Sequence, residues 1–317
     1  MTKFALFEYN TQNIGDEIQS LAALKFLPKV DYFINRDYIN YFVPDTDEEI
    51  KLIMNGWYTH QPHHFPIKQS QIHPLLISMY IVDHVKPIFS SSENIEFFKK
   101  YQPVGGRSKD TSDFLASLGV DSYFSGCLTL TLQKEETVKK RDYILAVDVP
   151  DQVYHKIKSQ TDRPVIRLHP YVNHKFMSTS RKMKLAQYFL YLYQSAHSVI
   201  TTRLHATLPC LALETNVLML EEPGFDASRF DSLRELANHM TIQEFLDTEY
   251  NVNNPLQNPT TYLSLREDLE NRCQEFTGFK SQHGYLNGQT VEEFLHDPEL
   301  LQNIATGLHA GFSQFGV

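Results

Sequence analysis

Apolar positions along the chain follow two rhythms, and the alternation between them lays out the elements. Lys3 to Tyr9 is an apolar-rich, β-prone run followed by the polar turn Asn10 to Asn13. Beyond the turn, Ile18, Leu21, Ala22 and Phe26 recur at the spacing of one helical face. This predicts strand, loop, helix. Further runs predict strands at Val30 to Asn35, Glu49 to Asn55, Leu75 to Val82 and Ser122 to Leu130, with helices at Glu93 to Tyr101 and Thr111 to Leu118. A charged, core-poor stretch, QKEETVKKR at 133–141, then separates this region from a new strand pattern at Tyr143. From there the alternation is regular: strands at 143–149, 164–168, 198–202 and 217–220, with helices at 151–159, 180–195 and 204–213. Such alternation predicts a parallel sheet covered by helices. The expected organisation is an N-terminal α/β lobe over 1–135, a C-terminal α/β lobe over 141–255 and a helical tail over 256–317.

Composition narrows the class. A length of 317 residues suggests two domains at roughly 150 residues each. The longest apolar run, Leu75 to Val82, is broken by Ser78 and falls far short of the roughly 20 residues that span a bilayer. The apolar stretch Phe4 to Phe7 stops at Glu8, before a secretory core develops. The expectation is a cytoplasmic protein without a transmembrane segment, peripheral membrane association being left open. With 29 basic against 38 acidic residues the net charge is -9, which opposes nucleic acid as a partner. Cys127, Cys210 and Cys273 stand far apart with no CxxC pair, so neither a zinc knuckle nor a disulfide framework is expected.

Neither GxGxxG nor GxxxxGK[ST] occurs, so the usual phosphate cradles are missing. The strongest local constellation is SVITTRLHATLPCLAL at 198–213, a β-branched strand running into Arg203, Leu204 and His205 at a helix start. Strand ends in open α/β sheets form the ligand crevice, and a helix N-terminus there offers N–H groups to an anion. Arg203 adds a bidentate fork, and His205 can exchange a proton near neutral pH. The plainer alternative is a surface ion pair and a buried, hydrogen-bonded histidine. A second RLH at 167–169 makes His169 a competitor, although Pro170 after it has no N–H to donate. NIGDE at 13–17 puts Gly15, Asp16 and Glu17 at the first helix start, where acids are also ordinary dipole partners. PVGGRSKD places Arg107 after two glycines and before a helix whose expected cap is Asp110 or Thr111, a position that suits a turn arginine equally well. NGWYTHQPHHFP holds the one tryptophan, Trp57, and three histidines; Pro62 breaks helical spacing and no acid or cysteine is nearby, so no metal site is expected. An aromatic loop at a strand end suits a sugar cleft better.

Taken in chain order, NIGDEIQSLAAL, IKLIMNGWY, PVGGRS, DSYFSGCLTLTL, VITTRLHATLPCLAL and NNPLQNPTTYL resemble the polysaccharide pyruvyl transferase family. The resemblance implies two Rossmann-like lobes in a GT-B-like arrangement with a cleft between them. It also implies transfer of pyruvate from phosphoenolpyruvate to a sugar of a glycan or lipid-linked precursor as a cyclic ketal, without a cofactor. Carried over by position, Arg203 and His205 match the donor-site Arg-Leu-His and Arg107 the arginine of the first-lobe donor loop. Family sequences usually place an acid directly after that arginine; here Ser108 and Lys109 intervene before Asp110. The expected site is His205, Asp16 and Glu17 for catalysis, Arg203, Leu204, Arg107, Asn13 and Gly15 for the donor, and Trp57 and His60 for the acceptor. Alternatives are a GT-B-like glycosyltransferase using a nucleotide sugar, with Glu222 on a ribose, and a noncatalytic glycan-binding member.

Overall fold

The computed structural model describes residues 2–172, 177–222 and 227–307. The expectations about the glycine-bearing end of the tail beyond residue 307 lie outside the described residues. In the first lobe the strands are β1 (Lys3–Glu8), β2 (Tyr32–Asn35), β3 (Ile50–Trp57), β4 (Ile72–Tyr80), β5 (Val104–Gly106) and β6 (Ser122–Phe124). Its helices are α1 (Gly15–Leu24), α2 (Lys86–Phe89), α3 (Ser92–Lys100) and α4 (Lys109–Ser117). The second lobe contains β7 (Ile144–Val147), β8 (Val165–Leu168), β9 (Ser198–Thr201), β10 (Val217–Glu221) and β11 (Asn238–Thr241). Around them lie α5 (Asp151–Ser159), α6 (Thr179–Ser195), α7 (Leu204–Ala212), α8 (Ala227–Arg234) and α9 (Ile242–Asp247). The chain continues through α10 (Leu263–Thr277), α11 (Val291–Leu295) and α12 (Pro298–Gly307).

The strands form two sheets, ordered β2-β1-β3-β4-β5-β6 and β11-β10-β9-β7-β8, and every pairing is parallel. These are two Rossmann-like sheets in a GT-B-like pair of lobes. In each, the strand order reverses beside the first strand, between β1 and β3 and between β7 and β9. Ligands of open α/β sheets bind beyond the strand ends at such reversals. The loops leaving β1 and β8 meet there: Ile14 N donates to the Pro170 carbonyl at 2.9 Å and Val172 N to the Gln12 carbonyl at 2.8 Å.

α1 joins the lobes. Every residue from Gly15 to Ala23 is buried. Ile14, Ile18 and Leu21 share one apolar core with Leu185 and Phe189 of α6, Leu204 and Leu208 of α7, and Leu128 and Leu130. Separate cores cover the outer face of each sheet. The polar residues of α1 are matched from both sides, as burial requires. Asp16 pairs with Arg36 of the first lobe at 3.1 Å, and Glu17 with Lys182 of the second at 3.3 Å. The Ser20 hydroxyl donates to the Phe7 carbonyl at 2.9 Å. α10 packs back onto the first lobe, with Glu270 on Lys25 at 2.6 Å and Arg272 over the Tyr123 ring at 4.1 Å.

The structure differs from the sequence reading in several places; β5 and β11 were not expected as strands. The run expected as one strand over 122–130 stops at Phe124, because Gly126 turns the chain at φ 72° into a short 3-10 helix at Leu128–Thr131. α4 begins at Lys109, and its cap is Ser108, whose hydroxyl accepts from Thr111 N at 3.2 Å; neither Asp110 nor Thr111 caps it.

Candidate active site

The two reversals face a cavity of about 520 Å³, lined by Asn10 to Asn13 beyond β1, Asp16 on α1, Asp37 and Tyr38 beyond β2, Trp57, His60 and Gln61 around the end of β3, and Tyr171 and Arg203 from the second lobe. Its volume lies within the roughly 300–1,000 Å³ usual for small-molecule sites. Arg203 and Asn13 also border a chamber of about 20 Å³, lined further by Gly15, Pro170, Leu204, His205 and Phe230. Other cavities lie away from the strand reversals, one of about 440 Å³ at the other end of α1 among Leu24, Lys25 and Phe279.

Arg203 is held by two partners. Its Nε and Nη2 both donate to the Asp148 carboxylate, and Nη2 also reaches the Tyr171 hydroxyl at 2.6 Å. The same carboxylate accepts from, or shares a proton with, His169 Nδ1 at 3.1 Å. One acid thus ties together the two RLH tripeptides. Asp148 directly follows β7 and has a φ of 53°, a left-handed conformation that costs a non-glycine residue on the order of 1 kcal/mol. The Thr202 hydroxyl and Asp148 N, bonded to the Asp148 and Leu168 carbonyls at 2.8 and 2.9 Å, hold it there. The guanidinium is therefore oriented before any ligand arrives. Arg203 caps α7 without a side-chain bond; the first amides to bond inside the helix are those of Ala206 and Thr207, both to the Arg203 carbonyl. The amides of Leu204 and His205 precede them at the helix N-terminus. Pro209 lies within α7, and His205 departs from helical geometry at ψ 17°.

Two sequence motifs converge on the half-buried His205 ring. Cys127 of SGCLTLTL has its Sγ 3.9 Å from Nε2. Gly15 of NIGDE passes so close that a β-carbon there would lie 2.7 Å from Nδ1. Asn13 accepts the Gly15 amide through Oδ1 at 3.0 Å, fixing that approach.

The two acids of NIGDE have different environments. Asp16 reaches the cavity. Burial works against its charge, but Arg36, the Thr11 hydroxyl at 2.5 Å and the nearby His205 outweigh it and hold the carboxyl below its ordinary value. Glu17 lines neither chamber. Burial, with Asp16 beside it, pushes its carboxyl up to about 7 against the pull of Lys182, whose ammonium also donates to the Tyr9 carbonyl. Glu17, expected to be catalytic, is placed at the lobe interface on Lys182.

Trp57 is half-buried, lines the cavity and meets His60 edge-on at 5.2 Å between centroids. Arg107 is elsewhere: at 1% exposure it lines neither chamber, and its guanidinium lies over the Tyr80 ring at 4.3 Å. Arg107 thus takes a buried stacking position just after β5, apart from the residues that line the two chambers. Asp148, Tyr171, Arg36 and Lys182 were not singled out by the sequence. Asp148 alone had a local signal, an acid one residue beyond a strand end and two before Pro150.

The chain can be compared with known proteins on this basis. Solved structures are similar to the chain at low identity. A Klebsiella pneumoniae protein of uncharacterized function is 13% identical with a TM-score of 0.46, over 76% of this chain and 92% of that one. The UDP-GlcNAc 2-epimerase of Methanocaldococcus jannaschii is 12% identical with a TM-score of 0.43, over 85% and 99%. No curated protein matches the sequence. The profile described as Polysaccharide pyruvyl transferase matches residues 13–222, from the loop that packs on His205 to the end of β10 and the residue after it. The chain is a member of the polysaccharide pyruvyl transferase family, and a transferase.

Proposed function

We propose that the protein moves pyruvate from phosphoenolpyruvate onto two hydroxyls of one sugar in a glycan or glycan precursor, forming a cyclic ketal. The observation that carries this reading is the meeting of Arg203, the α7 N-terminus and His205 with Asn13, Asp16 and Trp57 around two chambers that share Asn13 and Arg203 in their walls, at the strand reversals. Phosphoenolpyruvate carries a carboxylate and a phosphate, and a fixed guanidinium beside helix N–H groups suits both.

The chemistry asks for little more. Protonated His205 gives its proton to the methylene carbon of the enol while a sugar hydroxyl adds to the neighbouring carbon, and that hydroxyl's proton returns to the imidazole. The second hydroxyl then bonds to the same carbon as the C–O bond to phosphate breaks, and phosphate leaves with the second proton. One histidine serves both transfers of the first step. Asp16, held anionic, is a weak base; it suits orienting a hydroxyl and stabilising the imidazolium. Trp57 and His60 offer aromatic faces to the sugar ring. A cytoplasmic location belongs to the same proposal; among the described residues no helix is long and apolar enough to cross a membrane.

The test is a thermal shift with phosphoenolpyruvate and, separately, uridine diphosphate. A ligand at a hundred times its Kd stabilises the folded state by about 2.7 kcal/mol. Phosphoenolpyruvate is expected to raise Tm. A rise with uridine diphosphate alone would give the site to a nucleotide-sugar enzyme.

A further inference from the structure

The aromatic lining of the large cavity does not stop at its mouth. Tyr38 lines the cavity with Trp57 and His60 but is 42% exposed, and its ring lies 4.9 Å from His64 and 6.4 Å from Tyr41. Tyr41, 66% exposed, meets His64 edge-on at 5.0 Å. Val43, two residues on, is 79% exposed. We propose that this rim is a second sugar subsite, so that the acceptor is a neutral glycan of at least two residues whose outer sugar rests on Tyr38, Tyr41 and His64.

The rim is built rather than incidental. His64 Nδ1 is bonded to the Asp37 carbonyl at 2.8 Å, the Asn35 side chain accepts from Asp37 N at 3.0 Å, and Gln69 donates to the Asn40 carbonyl at 3.2 Å. These bonds fix the turn at Arg36–Tyr41, so the rings are presented at little further cost in conformational entropy. Rings with a polar edge suit a ligand that is apolar on its faces and hydroxylated at its rim, which describes a pyranose. Exposed apolar surface continuous with a cleft marks a contact site.

Charge decides the kind of glycan. Asp16 and Asp37 stand in the cavity wall, and the chain leaves the rim through Asp45, Asp47, Glu48 and Glu49. The nearby cations are committed: Arg36 is buried and paired with Asp16 and Asp37, and Lys68 is paired with Glu93 at 3.4 Å. The remaining cation of the wall, Arg203, lies on the second-lobe side and is tied to Asp148, so among the described residues the rim itself offers an anionic polysaccharide, or a membrane of anionic lipid, little counter-charge. The proposal rests on the reading of the cavity as the acceptor site, but not on pyruvyl chemistry.

Trp57, the one tryptophan, reports on the inner subsite by fluorescence. The full chain would be titrated with glucose, galactose and mannose, with their neutral tetrasaccharides, and with tetragalacturonate. At least one neutral tetrasaccharide should bind about tenfold more tightly than its monosaccharide. Tyr41→Ala, an exposed change, should remove about fivefold or more of that gain, and tetragalacturonate should show no gain. Equal affinity for monomers and tetramers across the panel would overturn the proposal. So would a gain that survives Tyr41→Ala, or phosphatidylglycerol vesicle binding that Tyr41→Ala abolishes, which would assign the rim to a membrane. A thermal shift with phosphoenolpyruvate, run beside it, separates the two readings: length-dependent sugar binding without that shift would leave the subsite standing and sink pyruvyl transfer.

Discussion

Gly15→Ala gives the sharpest test of the site. Gly15 has ordinary helical geometry, where alanine is normally better than glycine by about 1 kcal/mol, so propensity alone predicts a more stable protein. The local packing predicts the opposite. A β-carbon would sit 2.7 Å from His205 Nδ1, 2.9 Å from His205 Cβ and 3.1 Å from Asn13 Oδ1, so regaining a 3.4 Å contact requires the ring to retreat by about 0.7 Å. Overpacking of this kind costs about 1–3 kcal/mol, leaving a net loss of about 0–2 kcal/mol after the propensity gain. Activity should suffer more, because misplacing a reacting group by about 1 Å can cost 100-fold. Phosphate release from phosphoenolpyruvate with saturating acceptor, measured beside the melting temperature, should show kcat down by between 10- and 100-fold, roughly, while most molecules stay folded. A variant with a higher Tm and undiminished kcat would refute the placement of His205 against Gly15 as a catalytic contact.

His205→Gln should lower kcat by roughly 100-fold or more while the phosphoenolpyruvate thermal shift persists; a normal rate, with loss of turnover in His169→Gln, would move proton transfer to the Asp148-held histidine. Arg203→Lys keeps the charge but gives up the fork that Asp148 and Tyr171 orient, and calorimetry should show donor affinity weaker by roughly tenfold. Glu17 makes stability depend on pH. Its folded pKa of about 7 lies above its ordinary 4.5, so the folded state holds the proton more tightly and stability falls as pH rises between those values, then levels off. Glu17→Gln should remove that part of the slope, and an equal loss of Tm from pH 5 to pH 8 in both proteins would count against it.

The parts of the site that could be read from the sequence are those written in consecutive residues. NIGDE and RLH each mark a strand-to-helix passage, and parallel sheets bring such passages to one edge; the alternation of the second lobe therefore also located Arg203. Pairings across the fold leave no local trace. Asp16 meets Arg36 twenty residues on, Arg203 meets Asp148 fifty-five residues back, and Lys182 reaches the Tyr9 carbonyl from the other lobe. β5 escaped notice for another reason. It is the three residues VGG, without the β-branched run that signals a strand, and Gly106 is needed because a β-carbon would lie 2.8 Å from Ser112 N. Arg107 shows the converse limit. Its place after a strand and before a helix was legible, but the inward turn of its side chain onto Tyr80 depends on a neighbouring strand.

The burial of α1 between the sheets bears on how the molecule comes apart. A helix gripped on every side, with one acid paired into each lobe, leaves neither half with a complete core of its own. Expressed without residues 144–307, the first half would present Ile14, Ile18 and Leu21 to water. The second half alone would expose the matching faces of α6 and α7. Despite its two sheets, the chain should therefore unfold as one cooperative unit, with calorimetry recording a single transition rather than two.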